Sequence, residues 1–371
     1  MIVKTDLVET LKPVKAKKGR MKEGWKMKAV VKYASGHGNV EIRDVPEPFP
    51  GPDEVKIEVK AAGICGSDLH IFDGDIKLLM RLPVVIGHEF SGVITEVGSS
   101  VSEFEPSERV SSETSAQVCG TCIPCRTGNY NVCEQKRLIG YWFNGAFAKY
   151  CVVPSRLVHR LPDNVSFVGG ALCEPLMCCV NGVLEKTAIS PGDTVVVAGP
   201  GAIGLLSLQL VKAEGGFVIL CGTSADKNRL ALGKKLGADI TINVDDENPR
   251  ETVSKLTKGE GCDVFLECSG SPSAVRMGLN LVRRGGQYTQ LGLAGRPFEL
   301  DFDLVAYKEL TVKGMLGQRW TAWKRGMELL EKGLVKTEEL VSDILPLTKW
   351  QEGFEKMRRR EGIKIILDPQ E

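Results

Sequence analysis

The stretch Thr194-Val-Val-Val-Ala-Gly-Pro-Gly-Ala-Ile-Gly204 decides the fold of this chain. Thr194 to Ala198 is a short apolar run of strand type, Gly199 to Gly204 is a glycine-rich turn, and Ala202 to Glu214 follows with helical spacing. A G-x-G-x-x-G turn alone is a weak signal, but between a strand and a helix it predicts a dinucleotide site. Its glycines permit a tight turn and let a pyrophosphate settle over the helix N-terminus, where unpaired N–H groups carry partial positive charge. Gly199, Gly201, Ala202, Ile203 and Gly204 are the expected coenzyme contacts.

Downstream, strand-like runs at Phe217 to Cys221, Val264 to Glu267 and Gln287 to Leu291 alternate with helical stretches at Arg229 to Leu236 and Ala274 to Val282. Such alternation predicts an α/β domain with a parallel, doubly wound sheet. Upstream, from Met27 to about Leu172, the chain is rich in Gly, Pro and short β-type runs such as Val55, Ile57 and Val59 before Gly63. That texture predicts an irregular antiparallel sheet carrying long functional loops. Beyond Gly317, a helix near Ala322 to Glu331 and an apolar strand at Ile363 to Leu367 are expected to return to the first domain. The expected division is a polar, basic extension (1–26), a catalytic domain (27–176), a dinucleotide domain (177–317) and a returning C-terminal segment (318–371). The extension, with Lys15, Lys17, Lys18 and Arg20, reads as a solvated arm and is given no function.

The coenzyme discriminator is ambiguous. A site for NAD wants an acid at the end of the second strand, about 20 residues past the glycines, to hold the ribose hydroxyls. This chain has Gly222-Thr223-Ser224 there, with Asp226 beyond and Lys227 and Arg229 nearby. Thr223, Ser224 and Arg229 can accept the 2′-phosphate of NADP; alternatively Asp226 turns in and NAD is used. The residues leave NAD and NADP level.

Composition bounds the function. A length of 371 residues favours two domains. The hydrophobic fraction of 43% and charged fraction of 26% are those of a soluble protein. A net charge of +1 offers nucleic acid no general attraction, and no apolar run reaches the roughly 18 residues of a membrane span. Twelve cysteines without a signal peptide point to a reducing cytoplasm and thiolate–metal chemistry rather than disulfides.

Cys119, Cys122, Cys125 and Cys133 form a C-x2-C-x2-C-x7-C run, whose short gaps let four thiolates close on one tetrahedral zinc. With every position filled by sulfur, that site is structural. A second constellation is plainer. Cys65-Gly-Ser67-Asp-Leu-His70 and Gly87-His88-Glu89 supply Cys65 and His88 as ligands, and two of the chain's four histidines fall in these motifs. Glu174, in Leu172-Cys173-Glu174-Pro175, suggests a third ligand, and three ligands with an open position is what catalytic zinc requires. Plainer readings stand beside these. Cys65 can be a small buried hydrophobe, as Cys151, Cys173, Cys178, Cys179, Cys221, Cys262 and Cys268 are expected to be. Glu174 can end a strand, Ser67 can cap a turn and His70 can be a satisfied surface histidine. The four-cysteine run can be a nucleic-acid zinc ribbon, though it lacks a basic surround.

From Met27 onward the chain resembles the zinc-dependent medium-chain alcohol dehydrogenase superfamily, in its sorbitol (polyol) and threonine dehydrogenase branch. The matching stretches are CGSDLH at 65–70, GHE at 87–89, CGTCIPCRTGNYNVC at 119–133, EP at 174–175, GPGAIG at 199–204 and DVFLECSG at 263–270. The resemblance implies a GroES-like catalytic domain joined to a Rossmann domain, with the active site in the cleft between them. It implies two zinc ions per chain, NAD or NADP, and a small alcohol or ketone substrate. It also implies a homo-oligomer, tetramer or dimer. Cys65 and His88 would bind the catalytic zinc, Glu174 would stand where relatives outside this branch have a second cysteine, and Glu89 would ligate directly or through water. Ser67 and His70 match the proton-relay positions. Zinc would act as a Lewis acid on the alcohol while hydride passes to the nicotinamide.

The chain departs from the pattern at Ser107-Glu108-Arg109-Val110, where relatives carry Gly-Asp-Arg-Val, the acidic–basic pair being retained. Gly317-Gln318-Arg319 is nearer to the Gly-Arg of the threonine branch. The expected activity is oxidation of a secondary hydroxyl of a polyol or sugar-derived alcohol. L-Threonine 3-dehydrogenase is the alternative, and a redox-inactive dinucleotide-binding structural or sensor protein is the reading from another class.

Overall fold

A computed structural model describes residues 25–370, so residues 1–24 of the basic extension lie outside the described residues. The strands are β1 (Lys26–Lys32), β2 (Val40–Pro46), β3 (Glu54–Gly63), β4 (Val84–Val85), β5 (Glu89–Val97), β6 (Arg109–Ser112), β7 (Tyr150–Pro154), β8 (Val158–Arg160), β9 (Thr194–Ala198), β10 (Phe217–Gly222), β11 (Ile240–Asn243), β12 (Cys262–Glu267), β13 (Val282–Gln290), β14 (Thr311–Gly314), β15 (Val341–Pro346) and β16 (Lys364–Asp368). The helices are α1 (Gly66–Asp73), α2 (Ile123–Arg126), α3 (Phe167–Gly170), α4 (Cys173–Val183), α5 (Ala202–Ala213), α6 (Lys227–Lys235), α7 (Pro249–Leu256), α8 (Pro272–Leu281), α9 (Asp303–Tyr307), α10 (Trp320–Glu331) and α11 (Trp350–Arg358).

The second half is the doubly wound domain. Its six strands are all parallel, in the order β11-β10-β9-β12-β13-β14. Val195, Val196 and Val197 of β9 are fully buried, because helices cover both faces of this central strand. The order reverses direction at β9, the point at whose carboxyl edge such sheets bind ligands.

The first half is a mostly antiparallel GroES-like sheet with the order β15-β16-β3-β5-β6-β8, β7 pairing on β3. A smaller sheet, β2-β1-β4, lies beside it. The alternation of Val55, Ile57 and Val59 turns those three inward, and each is fully buried. The last strand, β16, pairs antiparallel with β3, with Ile366 opposite Gly63 and Leu367 opposite Ala62. This pairing carries the end of the chain to the place where β3 ends and α1 begins.

At Ser107-Glu108-Arg109 the retained charges do not pair with each other. Glu108 bonds Arg160 at 3.0 Å, while Arg109 donates to the carbonyls of Pro162 and Asp163 and its guanidinium lies 4.8 Å from the Phe167 ring centroid. Ser107 stands at φ 80, the left-handed region in which a side chain crowds its own backbone. Ser107→Gly is therefore expected to raise stability by about 0.5–1 kcal/mol, read as an upward shift of the thermal midpoint. An unchanged or lower midpoint would show that the turn is not strained.

Candidate active site and zinc centres

The Cys65 and His88 motifs, distant in sequence, meet because β3 and β5 are antiparallel neighbours with Gly63 opposite Glu89. Cys65 follows the end of β3 and caps α1; its N–H donates to Asp68 Oδ2 at 2.8 Å. Gly87, at φ 90, turns the chain into β5, and a Cβ there would meet the Phe147 ring at 2.3 Å. Glycine is thus required directly before His88.

Among the described residues, the donor atoms of Cys65, His88 and Glu89 lie within 4.8 Å of one another. A soft sulfur, an imidazole and a carboxylate at that spacing fit zinc. His88 Nδ1 and Asp68 Oδ1 are both buried without a hydrogen-bond partner and face each other at 3.6 Å. A carboxylate behind a metal-binding imidazole orients the ring and fixes its tautomer. The sequence alone gives Asp68 no role; its signal is an acid three residues beyond the cysteine, in the first turn of a helix.

Glu174 is not within that three-donor group. It sits in the first turn of α4, buried, with its Oε1 3.8 Å from Cys178 Sγ, beside the cluster rather than in it. Burial pushes its carboxyl up to about 7, His88 opposing the rise and Glu89 adding to it.

Sequence reasoning also missed Lys364. Its ammonium, on β16, reaches both Glu89 oxygens at 2.9 and 2.6 Å and the Ile64 carbonyl at 3.1 Å, with lysine and glutamate both buried. Burial would lower the lysine pKa, but the Glu89 charge overrides it and raises the value above 10.5. The signal was a lysine within the apolar run Ile363-Lys364-Ile365-Ile366-Leu367, since a buried charge requires a partner.

The Ser67 hydroxyl accepts from Tyr141 at 2.9 Å and lies 3.4 Å from His88 Nε2. His70 is more exposed, and its Nδ1 is 2.9 Å from Asp75. No direct hydrogen bond joins Ser67 to His70 among the described residues.

In the four-cysteine lobe, the sulfurs of Cys119, Cys122, Cys125 and Cys133 also lie within 4.8 Å of one another. The backbone N–H groups of Cys122 and Thr121 favour the Cys119 thiolate and bring its pKa down to about 6. The lobe is tied to the segment after β14. Asn131 donates to the Leu316 carbonyl at 2.7 Å, and Tyr130 accepts from the Trp320 N–H at 2.7 Å. Arg319 is held there by Glu185 at 2.6 Å and by Asn129. Of the seven cysteines expected in the interior, Cys151, Cys173, Cys179, Cys221 and Cys262 are buried, and burial pushes each up to about 12; Cys178 and Cys268 are only partly buried.

The glycine loop divides its three glycines among three tasks. Gly199 takes φ 99 in the tight turn. A Cβ on Gly204 would come within 1.9 Å of the Gly199 carbonyl, so the helix start packs directly on the loop. A Cβ on Gly201 would meet nothing within 4 Å, which leaves its backbone open to a ligand. Asp226 does not turn towards this opening. Its Oδ2 accepts from the Thr223 N–H at 3.1 Å and the Thr223 hydroxyl at 2.8 Å, and Oδ1 pairs with Arg229 at 3.4 Å. Arg229 in turn donates to the Gly362 carbonyl at 2.6 Å. Asp226 and Arg229 are thus engaged within the protein, while Lys227 beside them is exposed and makes no hydrogen bond or ion pair among the described residues.

Comparison with known proteins agrees with this architecture. Residues 51–163 match the family described as alcohol dehydrogenase GroES-like domain, and residues 202–332 the family described as zinc-binding dehydrogenase. A sorbitol dehydrogenase of Halalkalibacterium halodurans is 40% identical over 92% of this chain and 99% of its own. An L-threonine 3-dehydrogenase of Bacillus velezensis is 40% identical over 93% of this chain and 100% of its own. The crystal structure of 2R,3R-butanediol dehydrogenase from Bacillus subtilis superposes with a TM-score of 0.82 at 29% identity, covering 92% of this chain and 99% of that one. Likeness over nearly the full length of the chain and of its relatives places it in the zinc-dependent medium-chain alcohol dehydrogenase superfamily, polyol and threonine dehydrogenase branch, as an NAD(P)-dependent enzyme.

Proposed function

We propose that this dehydrogenase oxidises a secondary hydroxyl of a polyol or sugar-derived alcohol and reduces the corresponding ketone in reverse. One observation carries the dehydrogenase part of this reading: α4 touches both halves of the chemistry. Its first turn carries Glu174 beside Cys65, His88 and Glu89, and five residues on, Cys179 Sγ lies 3.4 Å from the Ile203 carbonyl at the start of α5. The donor cluster and the dinucleotide loop are thereby joined through a single buried helix.

Cys65, His88 and Glu89 would hold the catalytic zinc with Glu174 at hand as a replacement ligand, and Cys119, Cys122, Cys125 and Cys133 would hold the structural ion. When bound, the metal supplies Lewis acidity towards the alcohol and the nicotinamide accepts hydride. Lys364 offsets one carboxylate charge, so the donor set neutralises a divalent cation only in part. Ser67, between Tyr141 and His88, is placed to take the hydroxyl proton of the substrate. A bridging hydroxyl or water would pass it to His70, which Asp75 holds at the surface.

The L-threonine reading needs a cation for the substrate carboxylate. Arg319, in the Gly317-Gln318-Arg319 segment that resembles the threonine branch, is spent on Glu185 and Asn129. Polyols, L-threonine and simple secondary alcohols, assayed side by side with NAD and NADP, test the choice. The highest kcat/KM is expected for a polyol; preference for L-threonine would overturn it.

The glycine loop has its own test. Because Gly201 faces open space, Gly201→Val is expected to leave the thermal midpoint nearly unchanged while weakening NADH binding at least about tenfold, by keeping the pyrophosphate off the backbone. Unchanged affinity would refute the loop assignment. A homo-oligomer accords with the exposed Phe302 and Tyr307 before edge strand β14 and Val312 within it. Light scattering at the monomer's mass would exclude it. No helix among the described residues is long and apolar enough to cross a membrane.

A further inference from the structure

Gly222 closes β10 at the edge where a doubly wound sheet receives the adenosine half of a dinucleotide. No carboxylate fits at this position: a Cβ on Gly222 would lie 2.8 Å from Pro200 Cγ and 3.2 Å from Asp226 Cβ. Asp226 and Arg229 are turned inward, as described, so the usual acid and the nearby guanidinium are both out of play.

An acid arrives at the same lip from the neighbouring strand. β11 runs parallel to β10 with Asn243 beside Gly222, and the Val244 N–H donates to the Gly222 carbonyl at 2.8 Å. The next residue, Asp245, is exposed, and its Oδ2 accepts from the Ser224 N–H at 2.8 Å. Its other oxygen, Oδ1, makes no hydrogen bond among the described residues. The Ser224 N–H favours the ionised carboxylate and lowers its pKa. Asp246, also exposed, bonds the Asn243 amide beside it and adds a second negative charge.

We propose that Asp245 selects the coenzyme: its carboxylate, fixed on Ser224, accepts from the adenosine ribose of NAD and repels the 2′-phosphate of NADP. The inference rests on the dinucleotide reading of the Gly199–Gly204 loop. It makes NAD the preferred coenzyme although no acid ends β10. A phosphate placed here would have to displace a carboxylate from the Ser224 N–H and remain beside Asp246, which is discrimination by repulsion as well as by attraction.

Fluorescence titration of the zinc-loaded protein with NADH and with NADPH gives the two dissociation constants without turnover. Wild type is expected to bind NADH about 10- to 100-fold more tightly than NADPH. Asp245→Ser is expected to narrow that ratio by about tenfold or more, mostly through a gain in NADPH affinity as the Ser224 N–H becomes free. Asp246→Asn should move it less. NADPH binding as tight as NADH in wild type would overturn the proposal, as would an unchanged ratio in Asp245→Ser. Binding of both coenzymes without discrimination refutes the role of Asp245 alone; binding of neither refutes the dinucleotide loop and this inference together.

Discussion

Replacing Lys364 with methionine is expected to cost about 3–5 kcal/mol of folding stability, because it leaves the Glu89 carboxylate buried without its partner. Glu89 lies close against the β3 backbone: a single carbon added at Gly63 would come within 2.5 Å of its Oε2. The loss should be smaller in zinc-loaded protein, where the cation takes over part of the lysine's work, and larger after chelation. Adding Glu89→Gln to Lys364→Met should recover much of the stability, since the stranded charge is then gone. Equilibrium denaturation of wild type, both single variants and the double variant measures this coupling. A cost below about 1 kcal/mol for Lys364→Met would mean that the pair is not a desolvated one. The lysine's pKa in the fold lies above its unfolded value of 10.5. Its contribution is therefore full below about pH 10.5 and is lost only as pH rises through the higher folded value, so the effect of Lys364→Met should be flat across the neutral range.

Cys65→Ser is expected to abolish turnover while leaving the fold in place. Elemental analysis should give close to two zinc ions per chain in wild type and one in the variant, the remaining ion being held by the four sulfurs of the lobe. Loss of a Lewis acid worth several kcal/mol in the transition state corresponds to a fall in kcat on the order of 10³-fold or more. The thermal midpoint should shift little, because serine preserves the backbone geometry of the α1 cap, in which Asp68 accepts from the residue-65 N–H. Two ions persisting in Cys65→Ser would show that His88, Glu89 and Glu174 suffice to hold the metal and would remove Cys65 from the ligand set. One ion in wild type, persisting in the variant, would mean that only the lobe binds metal.

Some parts of this site were legible because they are local. The strand from Thr194 to Ala198 and the helix opening at Ala202 lie where the apolar run and the glycines put them, and the spacing of Cys119, Cys122, Cys125 and Cys133 already confines four sulfurs to one small volume. Other parts were not, because burial and direction are set by residues far away in sequence. Asp226 looked available to a ribose. In the fold it is the third residue of a capping turn, its oxygens taken by Thr223 and Arg229. Arg319, in a segment nearer to the threonine branch, is held by Glu185 and Asn129, both far from it in sequence.

The sequence by itself determined the chemistry on offer: a loop that can cradle a pyrophosphate, a closed four-thiol site, and Cys65 and His88 as metal ligands with Glu89 and Glu174 both in contention. Each follows from spacing within a few residues, where chain geometry leaves little freedom. Only the tertiary structure decided which carboxylate completes the three-donor cluster, which lysine balances it and which acid reaches the carboxyl edge of β10. Glu89, Lys364 and Asp245 owe those places to the register of β3 on β5, of β16 on β3 and of β11 on β10. Those registers are fixed by the burial of whole strand faces, a global constraint that no single motif carries.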